Sequence, residues 1–281
     1  MQSEIGSVDL KLTLLDSAQC FQWELFSEGW YGAVLRGEPV FIRQEKSRVE
    51  ILSIHAEDVC QYLDLNRNYN ALLEDLLDHP ICAYAVQSYS GLRLLRQDPW
   101  DALFMFILSA NNNVKRIRKL THTLSCKYGR EYSASLGTLH ALPDSASLAR
   151  AKEEELRAMG VGYRAPYLIS TARMVEDGFP LYALAAMPYE EAHAHLCRLP
   201  GVGDKVADCV LLFGCEHDEA FPVDVWVARM LESCFAIRGG SRAKIAAMAR
   251  ARFGAHGGLM QQFLFHAART EGVERLSSLN F

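Results

Sequence analysis

The sequence predicts an α+β protein, an N-terminal antiparallel β-sheet domain packed on a mostly α-helical core, and three observations carry that prediction. Apolar and polar residues alternate through the first fifty-odd positions; from about residue 56 apolar residues recur at three-to-four spacing nearly to the end. Pro143, Pro166, Pro180, Pro188 and Pro222 then divide the helical part into pieces of ordinary length. A sheet confined to one end of a helical chain is the segregated arrangement of α+β folds.

Taken in order, the alternating runs are residues 8–12 (Val-Asp-Leu-Lys-Leu), 21–23 (Phe-Gln-Trp), 29–35, 39–42 and 49–52, with Gly37 marking a turn. Helical spacing is clearest at 68–73 and 100–108. At 281 residues the chain is long for one domain. It divides into a sheet domain with flanking helices (1–90), a helical domain (91–198) and a hairpin-bearing helical domain (199–281).

No run of about 18 uncharged apolar residues exists, and the start, MQSEIGSVDLK, has neither a basic nor an apolar leader region. A soluble, intracellular, monomeric protein with no membrane partner is expected. The net charge of −5 argues at first against a polyanionic partner, but residues 1–90 carry −8 and residues 91–281 carry +3. Any nucleic-acid affinity would therefore rest on local cations and main-chain groups, and would be salt-sensitive. Cysteines at 20, 60, 82, 126, 197, 209, 215 and 234 form no CxxC pair and no zinc-like cluster, so free, buried thiols in a reducing compartment are expected.

The chemistry concentrates in two short segments. Residues 199–209 read Leu-Pro-Gly-Val-Gly-Asp-Lys-Val-Ala-Asp-Cys, and residues 221–225 read Phe-Pro-Val-Asp-Val. Gly201 and Gly203 can take positive φ, so the first segment reads as the tight turn of a helix-hairpin-helix whose amides, around Val202, face a phosphate. Lys205 then falls in the first turn of a helix, where the positive dipole end disfavours an ammonium and favours a nucleophilic amine. Asp224, 19 residues later, follows Pro222 and precedes an apolar run, the pattern of a helix N-cap that keeps a carboxylate ionised.

This combination resembles the helix-hairpin-helix, Gly-Pro-Asp superfamily of base-excision DNA glycosylases. The resemblance implies a hairpin that grips DNA and an aspartate that serves an extruded nucleotide; a lysine at position 205 marks the bifunctional glycosylase/lyase members. Further segments resemble the eukaryotic-type 8-oxoguanine DNA glycosylase/lyase family: residues 17–23 (SAQCFQW), 91–100 (GLRLLRQDPW) running on through 109–117 (SANNNVKRI), and 159–167 (MGVGYRAPY).

The family pattern implies roles residue by residue. Asn111, Arg116 and Arg164 contact the cytosine left behind, and Tyr163 wedges into the stack; amides and guanidinium forks suit that task. Cys209 and Phe265 sandwich the extruded base, and Gln261 reads its Watson–Crick edge. Oxidation turns the guanine N7 acceptor into an N–H donor, so one carbonyl discriminates the two bases. The family draws that carbonyl from a glycine where this chain has Ala18. A second departure is Trp226, where a histidine is usual.

The resemblance also implies a monovalent cation on the main-chain carbonyls of Cys197, Leu199 and Val202, and no other cofactor. Relatives with an iron–sulfur cluster carry four cysteines after the aspartate; here only Cys234 follows Asp224. His193 and His195 lie two residues apart on a helix, on different faces, and read as solvated surface. The expected function is excision of 8-oxoguanine, opposite cytosine, from double-stranded DNA through a lysine Schiff base, followed by β-elimination. Three alternatives are weighed: another damaged-purine preference in the same superfamily, a non-catalytic DNA-binding module, and a protein-interaction domain.

Overall fold

The computed structural model describes residues 2–4, 8–46 and 48–279. Strands β1 (Gln2–Glu4), β2 (Glu24–Leu25), β3 (Tyr31–Leu35), β4 (Glu38–Glu45) and β5 (Arg48–Leu52) form an antiparallel sheet in the order β1-β5-β4-β3-β2. Leu35 pairs with Glu38 across a two-residue turn in which Arg36 and Gly37 both have positive φ (50° and 78°). That turn matches the right-handed twist of the strands it joins.

Two of the expected strands are not in the sheet. Residues 8–12 lead into a helical turn because the Asp9 carboxylate accepts the Leu12 N–H (2.9 Å) and its carbonyl accepts that of Thr13 (2.9 Å). This side-chain cap outcompetes an alternation that arises only because Val8, Leu10 and Leu12 are all buried. Residues 21–23 are core anchors instead of a strand: the Phe21 N–H points to Met105 Sδ (3.3 Å), and Trp23 Nε1 donates to the Tyr62 hydroxyl (3.1 Å).

The helices are α1 (Ala56–Tyr62), α2 (Tyr69–Leu73), α3 (Pro80–Ser88), α4 (Pro99–Ser109), α5 (Val114–Tyr128), α6 (Ser145–Ala149), α7 (Glu153–Ala158), α8 (Ala165–Glu176), α9 (Tyr189–Leu196), α10 (Asp204–Gly214), α11 (Val225–Phe235), α12 (Arg242–Phe253), α13 (Gly257–Glu271) and α14 (Val273–Ser277). The expectation of uninterrupted helix is corrected by a hairpin, β6 (Glu131–Ala134) and β7 (Gly137–His140). Leu139 of β7 packs with Trp30, Val34 and Phe41 on the sheet face turned away from the main core. Four-residue strands are too short for alternation to stand out.

One apolar core runs from Val8 to Leu276. Its centre is α4, buried on every side from Ala102 to Leu108, packed on α10 with Phe106 and Phe213 stacked at 5.3 Å. A buried ionic cluster ties the sheet domain to the segment leading to Asp224. Arg96 pairs with Asp64 (3.4 Å) and Asp218 (2.9 Å), and Arg67 pairs with the same two carboxylates.

Candidate active site

Two helix starts face one cavity. The turn after α9 is closed by the Val202 N–H donating to the Leu199 carbonyl (3.1 Å), and Thr171 Oγ1 donates to the Pro200 carbonyl (3.0 Å). Gly201 has φ +81°, and a Cβ there would come within 2.8 Å of the Tyr167 Cβ, so only glycine fits. Gly203 differs from expectation: its φ is −106°, an extended value any residue adopts, and a Cβ would meet open space. It lines the mouth of a broad groove. The first amides of α10 have no acceptor within their own helix.

Lys205 is the second residue of α10; its Nζ lies 3.3 Å from Ser109 Oγ and 4.9 Å from the centroid of the Phe106 ring. Ser109 donates its proton to the Phe106 carbonyl (2.7 Å), so an oxygen lone pair is left for the amine. Asp224 caps α11 as expected, with Oδ1 accepting the Val227 N–H (2.9 Å). Lys205 and Asp224 line the same cavity without forming an ion pair among the described residues.

That cavity, about 340 Å³ counted together with the open space at its mouth, is lined by Ala18, Phe106, Lys205, Cys209, Phe213, Pro222, Asp224, Gln261, Gln262 and Phe265. All four residues expected to form a base pocket are therefore together. Gln261 is 4% exposed; its Nε2 donates to the Pro222 carbonyl (2.9 Å), and its Oε1 is buried with no partner. Because a carbonyl can only accept, this bond fixes which end of the amide faces Pro222 and leaves an unanswered acceptor at the cavity. Burial pushes the Cys209 thiol up to about 11, so it offers a neutral, polarisable wall.

Ala18 sits at φ +58°, a left-handed conformation that costs an L-residue about 1 kcal/mol. Its neighbours hold it there. Ser17 Oγ donates to the Thr13 carbonyl (2.6 Å), Gln262 Nε2 donates to the Ser17 carbonyl (2.9 Å), and the buried Gln19 amide bonds to Arg93 and Leu95. No hydrogen bond reaches the Ala18 carbonyl among the described residues.

The broad open groove outside is lined by Asn111, Asn112, Asn113, Arg116, Gly201, Gly203, Lys205, Asp224, Trp226 and Arg242, among others. Asn111 is exposed at φ +54°, Tyr163 is half exposed, and Arg116 reaches back to the Gly160 carbonyl (3.1 Å). Arg164 is 3% exposed; it donates to the carbonyls of Ala110, Asn111 (2.9 Å) and Val161 (3.3 Å), so most of its donors brace the loop. Its guanidinium carbon stands 4.5 Å from the Tyr163 ring centroid.

His193 and His195 are corrected: both are partly buried, His193 against Cys197 and Asp208, His195 beside Phe179. The expectation of buried thiols is corrected too: Cys126 and Cys197, which end or flank helices beside histidines, are exposed. Ser109, Phe106, Gln262 and Arg242 were not singled out from the sequence. Ser109 lies within the SANNN run, but its link to Lys205 spans 96 residues and has no local signal.

A hairpin-borne lysine and a helix-capping aspartate at the wall of a pocket lined by an aromatic ring, a thiol and a buried amide, opening on a groove, define a helix-hairpin-helix DNA glycosylase. Residues 104–253 match the model of the HhH-GPD superfamily of base excision DNA repair proteins, and the chain belongs to that family. Residues 2–103 match the 8-oxoguanine DNA glycosylase N-terminal domain. A Methanothermobacter thermautotrophicus protein named "Probable N-glycosylase/DNA lyase" is 33% identical over 68% of this chain and 68% of its own length. The N-glycosylase/DNA lyase of Saccharomyces cerevisiae is 34% identical over 70% of this chain and 59% of its own. The Clostridium acetobutylicum 8-oxoguanine glycosylase/lyase, solved with double-stranded DNA containing cytosine opposite 8-oxoG, superposes with a TM-score of 0.88 at 30% identity, covering 96% and 97% of the two chains.

Proposed function

We propose that this chain is a bifunctional base-excision repair enzyme that removes 8-oxoguanine from duplex DNA, preferentially opposite cytosine, and then nicks the strand at the abasic site. The observation that carries the reading is the convergence of Lys205, Asp224 and the unpaired Gln261 acceptor on one cavity. A base in a duplex is out of reach at its glycosidic bond, so the nucleotide is extruded into that cavity. The base lies between Cys209 and Phe265, its N1–H and exocyclic amine answer Gln261 Oε1, and its oxidised N7–H answers the Ala18 carbonyl.

The Lys205 amine attacks C1′ as the C1′–N9 bond breaks; the base leaves with that electron pair and takes up a proton. Asp224 stabilises the positive charge developing on the sugar, more effectively as water is excluded. Loss of a proton from nitrogen and opening of the sugar ring give an imine. The imine acidifies the 2′ hydrogens; removal of one breaks the C3′–O bond and releases the 3′ phosphate. Ser109 Oγ holds the amine in place before attack.

Tyr163 fills the gap in the stack, Asn111 and Arg116 face the estranged cytosine from the groove, and Arg164, whose donors are turned onto the carbonyls of Ala110, Asn111 and Val161, acts there by holding the Asn111 loop in place. The Cys197 and Val202 carbonyls receive no hydrogen bond among the described residues, and with Leu199 they would hold a monovalent cation beside a DNA phosphate. No helix among the described residues is long and apolar enough to cross a membrane. The working site is intracellular, with the DNA.

Excision and nicking on a panel of duplexes test this reading: 8-oxoguanine opposite each base, an alkylated purine, and undamaged guanine. The lesion opposite cytosine should be processed at least about tenfold faster than the others. Faster release of the alkylated purine, or loss of undamaged guanine at the same rate, would overturn the substrate; equal rates opposite all four bases would overturn the cytosine preference.

A further inference from the structure

We propose that His193, Cys197 and Asp204 form a side-chain site for a zinc-like divalent cation across the base of the hairpin. One donor atom from each lies within 4.8 Å of the other two. His193 and Cys197 are one helical turn apart at the end of α9, and the hairpin brings Asp204, first residue of α10, beside them.

The histidine–cysteine spacing fits a shared metal. His193 Nδ1 and Cys197 Sγ stand 3.7 Å apart; ligands at about 2.1 and 2.3 Å around a tetrahedral zinc are about 3.6 Å apart. The other ring nitrogen, Nε2, faces Asp208 Oδ1 at 4.0 Å, and that carboxylate is 1% exposed and held by the Tyr189 hydroxyl (2.6 Å). At 4.0 Å the pair is not hydrogen-bonded, but an approach of about 1 Å would give the carboxylate–imidazole contact that orients a metal-binding histidine. Cys197 and Asp204 are exposed, so an ion can enter and keep a water as fourth ligand.

Sulfur and imidazole select zinc or a similar borderline cation over magnesium or calcium. This separates the site from the carbonyl cradle for a monovalent ion. The other histidine–cysteine cluster, Cys126 between His122 and His140 (3.5 and 3.8 Å), does not gather its donors within 4.8 Å and serves as an internal control.

Binding has an electrostatic consequence. As the S–metal bond forms, the thiol proton leaves to solvent; thiolate, carboxylate and divalent cation then sum to zero, where Asp204 alone contributed one negative charge. The hairpin loses that charge next to the amides that face DNA, so metal and duplex binding reinforce each other reciprocally. This second part rests on the hairpin's role as the phosphate grip; the metal site does not.

The test is titration of the full chain with Co²⁺, read by the near-ultraviolet sulfur-to-cobalt charge-transfer band, with Zn²⁺ as competitor. One equivalent should give the band in the wild type and in Cys126→Ser. Cys197→Ser should abolish it, and Asp204→Asn or His193→Ala should weaken binding at least about tenfold with circular dichroism unchanged. Absence of the band, its persistence in Cys197→Ser, or its loss in Cys126→Ser would overturn the site. One equivalent of Zn²⁺ should also tighten binding of undamaged duplex about two- to fivefold, and not in Cys197→Ser. Cobalt binding with unchanged duplex affinity would overturn the coupling alone.

Discussion

Lys205 and Asp224 owe their placement to opposite uses of a helix start. Lys205 lies inside the first turn of α10, where orphan amides and the dipole face outward; Asp224 stands just before α11 and caps it. Both were legible because the two segments occur together, 19 residues apart; alone, the glycine turn reads equally as an ordinary turn and the aspartate as an ordinary cap. Ser109 and Gln262 were not, since their roles arise only from contacts across the fold. The strain at Ala18 was half legible: the sequence showed alanine where glycine is usual, but only the structure shows φ +58° and the amides that enforce it. Gln261 gives the sharpest expectation at this scale. Gln261→Ala should lower kcat/KM for 8-oxoguanine excision about 10- to 100-fold through the lost acceptor, with Schiff-base formation on a preformed abasic site intact. Equal losses on both substrates would show that the residue only supports the fold.

Among the elements, the loop from α10 to α11 decides whether the two reactive groups meet. Gly258 lets α13 approach this loop: a Cβ there would lie 2.5 Å from the Ala220 carbonyl, and its N–H donates to the Asp218 carbonyl (2.7 Å). That approach brings Gln261 to Pro222. The Arg67–Arg96–Asp64–Asp218 cluster fixes the loop's other end. Arg96→Ala would leave the buried Asp64 carboxylate to Arg67 and the Tyr69 hydroxyl and the partly buried Asp218 carboxylate to Arg67 and His256, and should cost about 3 kcal/mol in urea unfolding, partly restored by Arg96→Lys. A cost below about 0.5 kcal/mol would mean the cluster is solvated, as exposed pairs are. Sequence patterning recovered β3, β4, β5, α2 and α4, whose periodicity is long or sits beside a strong turn or cap. It failed at residues 8–12, where Asp9 starts a helical turn, and at the β6–β7 hairpin, which is short and amphipathic only against a distant sheet.

The whole molecule joins an acidic sheet domain to a cationic helical part through one continuous core. Deep burial makes part of this stability depend on pH. His266 is 4% exposed, and burial, reinforced by the Arg269 guanidinium, depresses it to about 4. The unfolded chain takes up this proton near pH 6.5 while the folded chain does so only near 4, so stability falls as pH drops through that window. The contribution is on the order of 3 kcal/mol, and His266→Gln should flatten the stability profile between pH 6.5 and 4. An unchanged slope would place the imidazole in contact with water. The most direct measurement of the central claim is borohydride trapping on duplex DNA with 8-oxoguanine opposite cytosine. Wild-type protein should become covalently linked to the strand, Lys205→Gln should not, and Asp224→Asn should bind the lesion with little or no adduct. An undiminished adduct in Lys205→Gln, or none with protein that still excises the base, would contradict the claim that this lysine forms the bond to C1′.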